Sequence, residues 1–158
     1  METKIRIRLA QREDLNAVVA LWKELMDLTA EVNPRYRLRV NAEDQQRAIF
    51  SEYIRRSDAY VIVGEAAGRI VSFSNGYLTM PAKTFAQSVI GVLENLLVVE
   101  DYRRRGIGRE TATKAIAWLG RQGAMEIYVN VIPKNVGSLK FWRAMGFEVQ
   151  RLAMFKEL

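Results

Sequence analysis

The feature that most restricts this chain's fold lies between positions 87 and 122. An apolar run, roughly Gln87 to Val99, has the length and content of a buried strand, and it feeds the turn Tyr102-Arg103-Arg104-Arg105-Gly106-Ile107-Gly108. From Ile107 to Gln122 the period changes. Thr111, Ala115 and Trp118 fall on one helical face, while Arg109, Glu110, Lys114 and Arg121 fall on the other. Gly123 caps this helix, and Glu126 to Ile132 reads as a further strand. A strand, a helix and a strand joined this closely form a β-α-β unit, whose two strands are expected to be parallel neighbours.

The rest of the chain builds around that unit. Ile5 to Leu9 alternates as a first strand, and Leu15, Val18, Val19, Trp22, Leu25, Met26 and Thr29 recur at helical spacing up to Val32, where Asn33-Pro34 ends the helix. Asn41 is placed to cap a second helix with Ile49, Phe50, Tyr53 and Ile54 on one face. Ala59 to Glu65 and Ile70 to Tyr77 read as a hairpin turning at Ala67-Gly68, followed by a loop from Met80 to Ala86. After the β-α-β unit, Asn135 to Met145 reads as a short helix ended by Gly146, and Phe147 to Lys156 as a last strand. The expected order is β-α-α-β-β-β-α-β-α-β. No linker or repeat interrupts the 158 residues, so one domain, 1–158, is expected.

Composition removes whole classes of chemistry. The chain has no cysteine and no histidine, which excludes disulfides, a thiolate nucleophile, Ser-His-Asp catalysis and His- or Cys-based metal sites. Chemistry must therefore use carboxylates, hydroxyls, amines, backbone amides or a bound cofactor, and no metal is expected. No apolar run approaches the ~20 residues of a membrane span, and Met1-Glu2-Thr3-Lys4 opens no signal peptide, so a cytoplasmic location without membrane association is expected. The net charge of +6 suits an anionic partner, and its densest focus is Arg103-Arg104-Arg105. No helix-turn-helix or RNA-binding signature accompanies it, so nucleic acid is not the expected partner.

A strand, a Gly-rich turn and a helix start together make a phosphate site. The first-turn N–H groups and the positive end of the helix dipole face the anion, glycines permit close approach, and arginines add charge-assisted donors. A P-loop would need Gly-Lys-Ser/Thr, and the chain has no Gly-Lys pair. A dinucleotide fingerprint would need Gly or Ala where Thr111 stands, and an acid at the end of the next strand, whereas Glu126 begins it.

Leu97-Val-Val-Glu-Asp-Tyr-Arg103-Arg-Arg-Gly106-Ile-Gly108 closely resembles the acetyl-CoA signature of the GNAT acetyltransferase superfamily, Arg/Gln-x-x-Gly-x-Gly/Ala at the start of the central helix. Downstream, Asn135-Val-Gly-Ser138-Leu-Lys-Phe141-Trp142-Arg-Ala-Met-Gly146-Phe147 is similar to the family's Asn…Phe-Tyr…Gly-Phe element. The element order matches over nearly the whole chain. Leu93-Glu94-Asn95-Leu96 is also faintly similar to the polyamine and small-amine branch. The resemblance implies an α/β fold with a mixed, mostly antiparallel central sheet, a parallel pair around the central helix, and helices on both faces.

The same resemblance implies site roles. Backbone groups of Leu96, Leu97 and Val98 would meet the pantetheine arm like an added strand, at a family β-bulge, with the N–H near Val98 polarising the thioester carbonyl. Arg104, Arg105, Gly106, Ile107, Gly108 and Arg109 would hold the pyrophosphate, and Asn135 the pantetheine, in addition to capping a helix. Glu94, a carboxylate inside an apolar strand, is the expected base for an ammonium substrate. Trp142 stands where many members carry a tyrosine acid, and indole cannot take that role; Tyr60, Tyr77, Tyr102 and Tyr128 remain open as substitutes.

The resulting expectation is direct acetyl transfer from acetyl-CoA to a primary amine, of a small molecule. A protein N-terminus or lysine as acceptor, and a CoA-binding module without turnover, remain alternatives. The loop from Met80 to Ala86 and the N-terminal helices are expected to shape the acceptor site. The apolar end Leu152-Ala153-Met154-Phe155 suits either a core strand or a homodimer contact.

Overall fold

The computed structural model describes residues 4–81 and 89–158. Five strands form one sheet in the order β1-β2-β3-β4-β5: β1 Ile5–Leu9, β2 Ala59–Ala66, β3 Arg69–Thr79, β4 Ile90–Val98 and β5 Glu126–Val129. The first four are antiparallel neighbours, and β4 and β5 are parallel across the crossover helix α3, Ile107–Arg121. Helices α1, Leu15–Val32, and α2, Ala42–Arg55, cover one face of the sheet. On the other face lie α3 and the short α4, Val136–Ala144.

Each face has its own core. Val18, Val19 and Trp22 of α1 and Phe50 of α2 pack onto Val61, Val63, Val71, Phe73 and Leu97 of the sheet. Phe50 meets Phe73 edge-on at 6.1 Å. On the opposite face, Ala112, Ala115, Trp118 and Leu119 of α3 and Trp142 of α4 cover Tyr60, Ile62 and Leu93. Fully burying one large apolar side chain is worth about 1.5–3 kcal/mol, so these two layers are the main source of stability. Small residues at Thr111, Ala112 and Ala115 bring α3 close to the sheet, where Thr111 and Ser72 share a buried hydrogen bond of 3.2 Å.

The hairpin turns at Ala67-Gly68, both left-handed, and Gly123 and Gly146 follow α3 and α4 with positive φ. Two local expectations change. Asn41 precedes α2 with φ 67° but makes no capping hydrogen bond, and Ile49 points to solvent, leaving Phe50 as the buried residue of α2.

Two larger expectations are corrected. The bulge expected at Leu96–Val98 lies earlier: Asn75 pairs with Asn95 and Gly76 with Leu93, so Glu94 is the extra residue. Gly76 makes room for it, because a Cβ there would stand 2.0 Å from the Val92 carbonyl oxygen. The final strand, Phe147 to Lys156, does not form. This segment runs without a ladder partner, and Leu152, Met154 and Phe155 are exposed. An apolar segment becomes a strand only where an edge receives it, and none does so within these described residues. Most of the Met80 to Ala86 loop, and positions 87 and 88 of the expected long strand, lie outside the described residues.

Candidate functional site

The site lies where β4 and β5 part. Their pairing runs from Ile90↔Glu126 to Leu93↔Val129, where β5 ends while β4 continues to Val98. Val99 N–H donates to the Val71 carbonyl at 2.9 Å, so the Val71–Val99 pair is hydrogen-bonded across the β3–β4 ladder. Hydrogen-bonded pairs alternate along an antiparallel ladder. Leu97, opposite Phe73, therefore also faces β3, while the backbone groups of Leu96 and Val98 face the side that β5 has left. Of the three residues expected to offer their backbone, Leu96 and Val98 turn theirs to this open side. Leu97 instead sends its side chain into the core.

Beyond Val98 the chain makes a 3-10 turn at Glu100–Tyr102, and Arg103 folds back to donate from Nε to the Val98 carbonyl at 2.8 Å. Arg104 takes a left-handed φ of 61° and Gly106 one of 80°, which swings the chain into α3. No side chain caps α3; its first helical hydrogen bond is Glu110 N–H to the Gly106 carbonyl. The N–H groups of Ile107, Gly108 and Arg109 are thus left for an anion at the positive end of the dipole. Arg104, Arg105 and Arg109 are exposed around that opening, and Arg105 lies 5.3 Å over the Tyr102 ring.

Gly108 faces the junction. A Cβ on it would lie 3.5 Å from Val98, 3.6 Å from Phe141 and 3.9 Å from Leu96. The end of β4, the start of α3 and Phe141 of α4 therefore meet around Gly108. Trp142 points the other way, buried between Phe141 at 4.9 Å and Phe147 at 5.2 Å, which makes it a core residue. Asn135 caps α4, its Oδ1 accepting from Ser138 N–H at 3.0 Å.

Glu94 occupies the other side of β4. The bulge sends Glu94 and Asn95 to the same face, toward α2, against the normal alternation. Glu94 Oε2 accepts from Asn75 Nδ2 at 2.7 Å and from the Tyr53 hydroxyl at 3.2 Å. Asn75 Oδ1 accepts from Asn95 Nδ2 at 2.9 Å. The Glu94 side chain is exposed, but the protein around its carboxyl raises its pKa by desolvation, against the lowering effect of the Tyr53 and Asn75 hydrogen bonds. Tyr53 sits edge-on to Tyr77 at 6.1 Å, and burial beside Glu94 raises its own pKa.

Sequence reasoning missed the roles of Tyr53, Asn75 and Asn95 beside Glu94. Arg103 stands out in the sequence as part of the basic turn, but its bond to Val98 does not. Of the tyrosines left open as acids, Tyr60 is buried against Ser74, while the Tyr128 hydroxyl donates to Glu126 at 3.3 Å.

The residues fit a nucleotide thioester: an uncapped helix start ringed by arginine for phosphates, and an unpaired strand edge for an amide-bearing arm. The model of the Acetyltransferase (GNAT) family matches residues 20–147, and the chain belongs to that family. Its fold is shared with aminoglycoside N-acetyltransferase AAC(6')-Iy in complex with CoA, 19% identical with a TM-score of 0.78, over 100% of this chain and 97% of that one. It is shared as well with a mutant of the BH1408 protein from Bacillus halodurans, 21% identical with a TM-score of 0.83, over 97% and 99% of the two chains. A third similar structure is aminoglycoside acetyltransferase meta-AAC0020 from an uncultured soil metagenomic sample in complex with sisomicin, 18% identical with a TM-score of 0.70, over 98% and 96%. No curated protein matches the chain by sequence.

Proposed function

We propose that this protein transfers an acetyl group from acetyl-CoA directly to a primary amine of a small molecule. The observation that carries this reading is Glu94. One bulge turns its carboxylate toward α2, on the same strand whose edge and end lead to the uncapped start of α3. Acceptor chemistry and cofactor binding thus meet on one strand. The CoA and sisomicin complexes of the similar structures support both halves of the reading.

In this scheme the pyrophosphate sits on the N–H groups of Ile107, Gly108 and Arg109, with Arg104 and Arg105 neutralising its charge. Leu96 pairs with the pantetheine arm through its outward backbone groups, while the Val98 carbonyl is held by Arg103 and its N–H is kept for the thioester, and Asn135 contributes its amide nitrogen. The acceptor arrives as an ammonium ion and gives a proton to Glu94, directly or through water. The freed lone pair forms the N–C bond at the thioester carbonyl, whose developing charge is met by the Val98 N–H. The C–S bond then breaks, and the second proton lost by the nitrogen passes to the departing sulfur or to water. A thiol of pKa roughly 8.5 leaves readily as thiolate, so the reaction proceeds with Trp142 in the core and no tyrosine at that position.

The test is thiol release from acetyl-CoA against aminoglycosides, polyamines, amino acids and peptides. Turnover with small amines supports the reading. Turnover with peptides alone moves the acceptor class to proteins, and tight CoA binding with no turnover on any amine reduces the protein to a binding module.

A further inference from the structure

Resting on the reading of Glu94 as the base, we infer that Asn75 is a positioning residue that holds one carboxylate oxygen of Glu94 and leaves the other as the proton acceptor. Asn75 is fully buried in the middle of β3, on the face that carries Phe73 and Tyr77. Asparagine is a poor strand former, and an unpaired amide at such a site is costly. A β-branched apolar residue would fill the position more cheaply in stability.

The side chain makes two hydrogen bonds, and their chemistry fixes its orientation. Asn95 donates to Oδ1 at 2.9 Å, and Nδ2 donates to Glu94 Oε2 at 2.7 Å. A carboxylate can only accept, so Nδ2 must face Glu94, and Asn95 locks it there through Oδ1. The Tyr53 hydroxyl reaches the same Oε2 from α2. Two donors from different elements therefore converge on one oxygen. Among the described residues no donor reaches Oε1, which is left to meet the ammonium.

The bulge is what makes this possible. In a regular strand Glu94 and Asn95 would point to opposite faces; here both meet Asn75. Tyr77 on β3 and Arg56, just past α2, lie beside Tyr53, while Tyr60 on β2 is on the opposite face of the sheet and feels Glu94 only through its charge. Burial raises the Tyr53 and Tyr60 phenols above their ordinary range, so Glu94 loses its proton before either of them.

Asn75→Leu keeps the volume and removes the donor. With an accepted amine, kcat/KM should fall about tenfold on the acid side, and its acid limb should move about one unit to higher pH, because the ionised carboxylate loses a hydrogen bond. CoA affinity measured by calorimetry should stay unchanged. Asn95→Leu, which leaves Asn75 in place but unoriented, should shift the limb in the same direction by less, and it decides the matter if Asn75→Leu does not fold. An acid limb that stays in place in the folded variants overturns the inference. Glu94→Gln separates the two claims: full activity there defeats the reading of Glu94 as base, whereas a dead Glu94→Gln beside an unshifted Asn75→Leu defeats only the role of Asn75.

Discussion

Gly76 lies so close to Val92 that a Cβ on the glycine would stand 2.0 Å from the Val92 carbonyl oxygen and 2.8 Å from the Tyr60 ring. The first of these atoms belongs to the backbone and cannot step aside. Gly76→Ala should therefore cost roughly 3 kcal/mol in chemical denaturation, at the upper end for overpacking, and disturb the bulge that aims Glu94. A variant of wild-type stability and activity would show that the bulge does not depend on this glycine.

The two glycines at the start of α3 should behave differently. Gly106 needs its positive φ and has nothing within 4 Å of its Cβ position, so Gly106→Ala should cost about 1 kcal/mol of stability through strain alone. Gly108 has ordinary contacts, so Gly108→Ala should fold normally. Gly108→Val crowds Val98 and Phe141, and should weaken CoA binding about tenfold or more by calorimetry. Unchanged affinity would remove the cofactor from this turn.

Glu94→Gln should retain CoA affinity and lose on the order of 10²–10⁴ in rate. Its stability should move the opposite way. Glu94 has a raised pKa in the folded protein, so its contribution is fully present below the unfolded carboxyl value and is lost as pH rises through the folded one. Ionisation at neutral pH is thus a burden on the fold. The variant should melt higher than wild type at pH 7, and the gain should vanish near pH 4, close to the unfolded value of about 4.3.

Asp14 should show the reverse pattern. It accepts two hydrogen bonds from Arg8, at 2.6 and 3.0 Å, and one from the Gln11 N–H at 2.8 Å, and Arg8 holds its pKa below the usual carboxylate value. Its contribution is present above the unfolded pKa of about 3.9 and is lost as pH falls through the depressed folded value. Asp14→Ala should cost about 2 kcal/mol at pH 7 and progressively less in acid, measured by denaturation across pH.

The proposed cofactor end of the site is legible because its signals are local: Arg103, Gly106 and Gly108 punctuate the chain within six positions. The acceptor end was readable only in Glu94, a charge that an apolar strand cannot ignore. Its partners are brought in by tertiary structure, Asn75 from 19 residues away and Tyr53 from 41, and neither segment points to Glu94 as the partner. The bulge was displaced for a related reason. The Leu-Glu-Asn-Leu stretch carries no mark of an extra residue, and what admits one is Gly76 on the facing strand. The tail from Phe147 was read as a strand from its apolar content, but content does not supply a neighbour to pair with.

On the proposed reading, strand β4 serves donor and acceptor through different parts of itself, its outward edge for one and the side chains on its α2 face for the other. Every residue but proline carries the same N–H and C=O, so the edge survives almost any change of sequence. The face has no such protection; each substitution there rewrites what the acceptor meets. A lineage built on this strand can exchange one acceptor for another while inheriting its acyl donor intact.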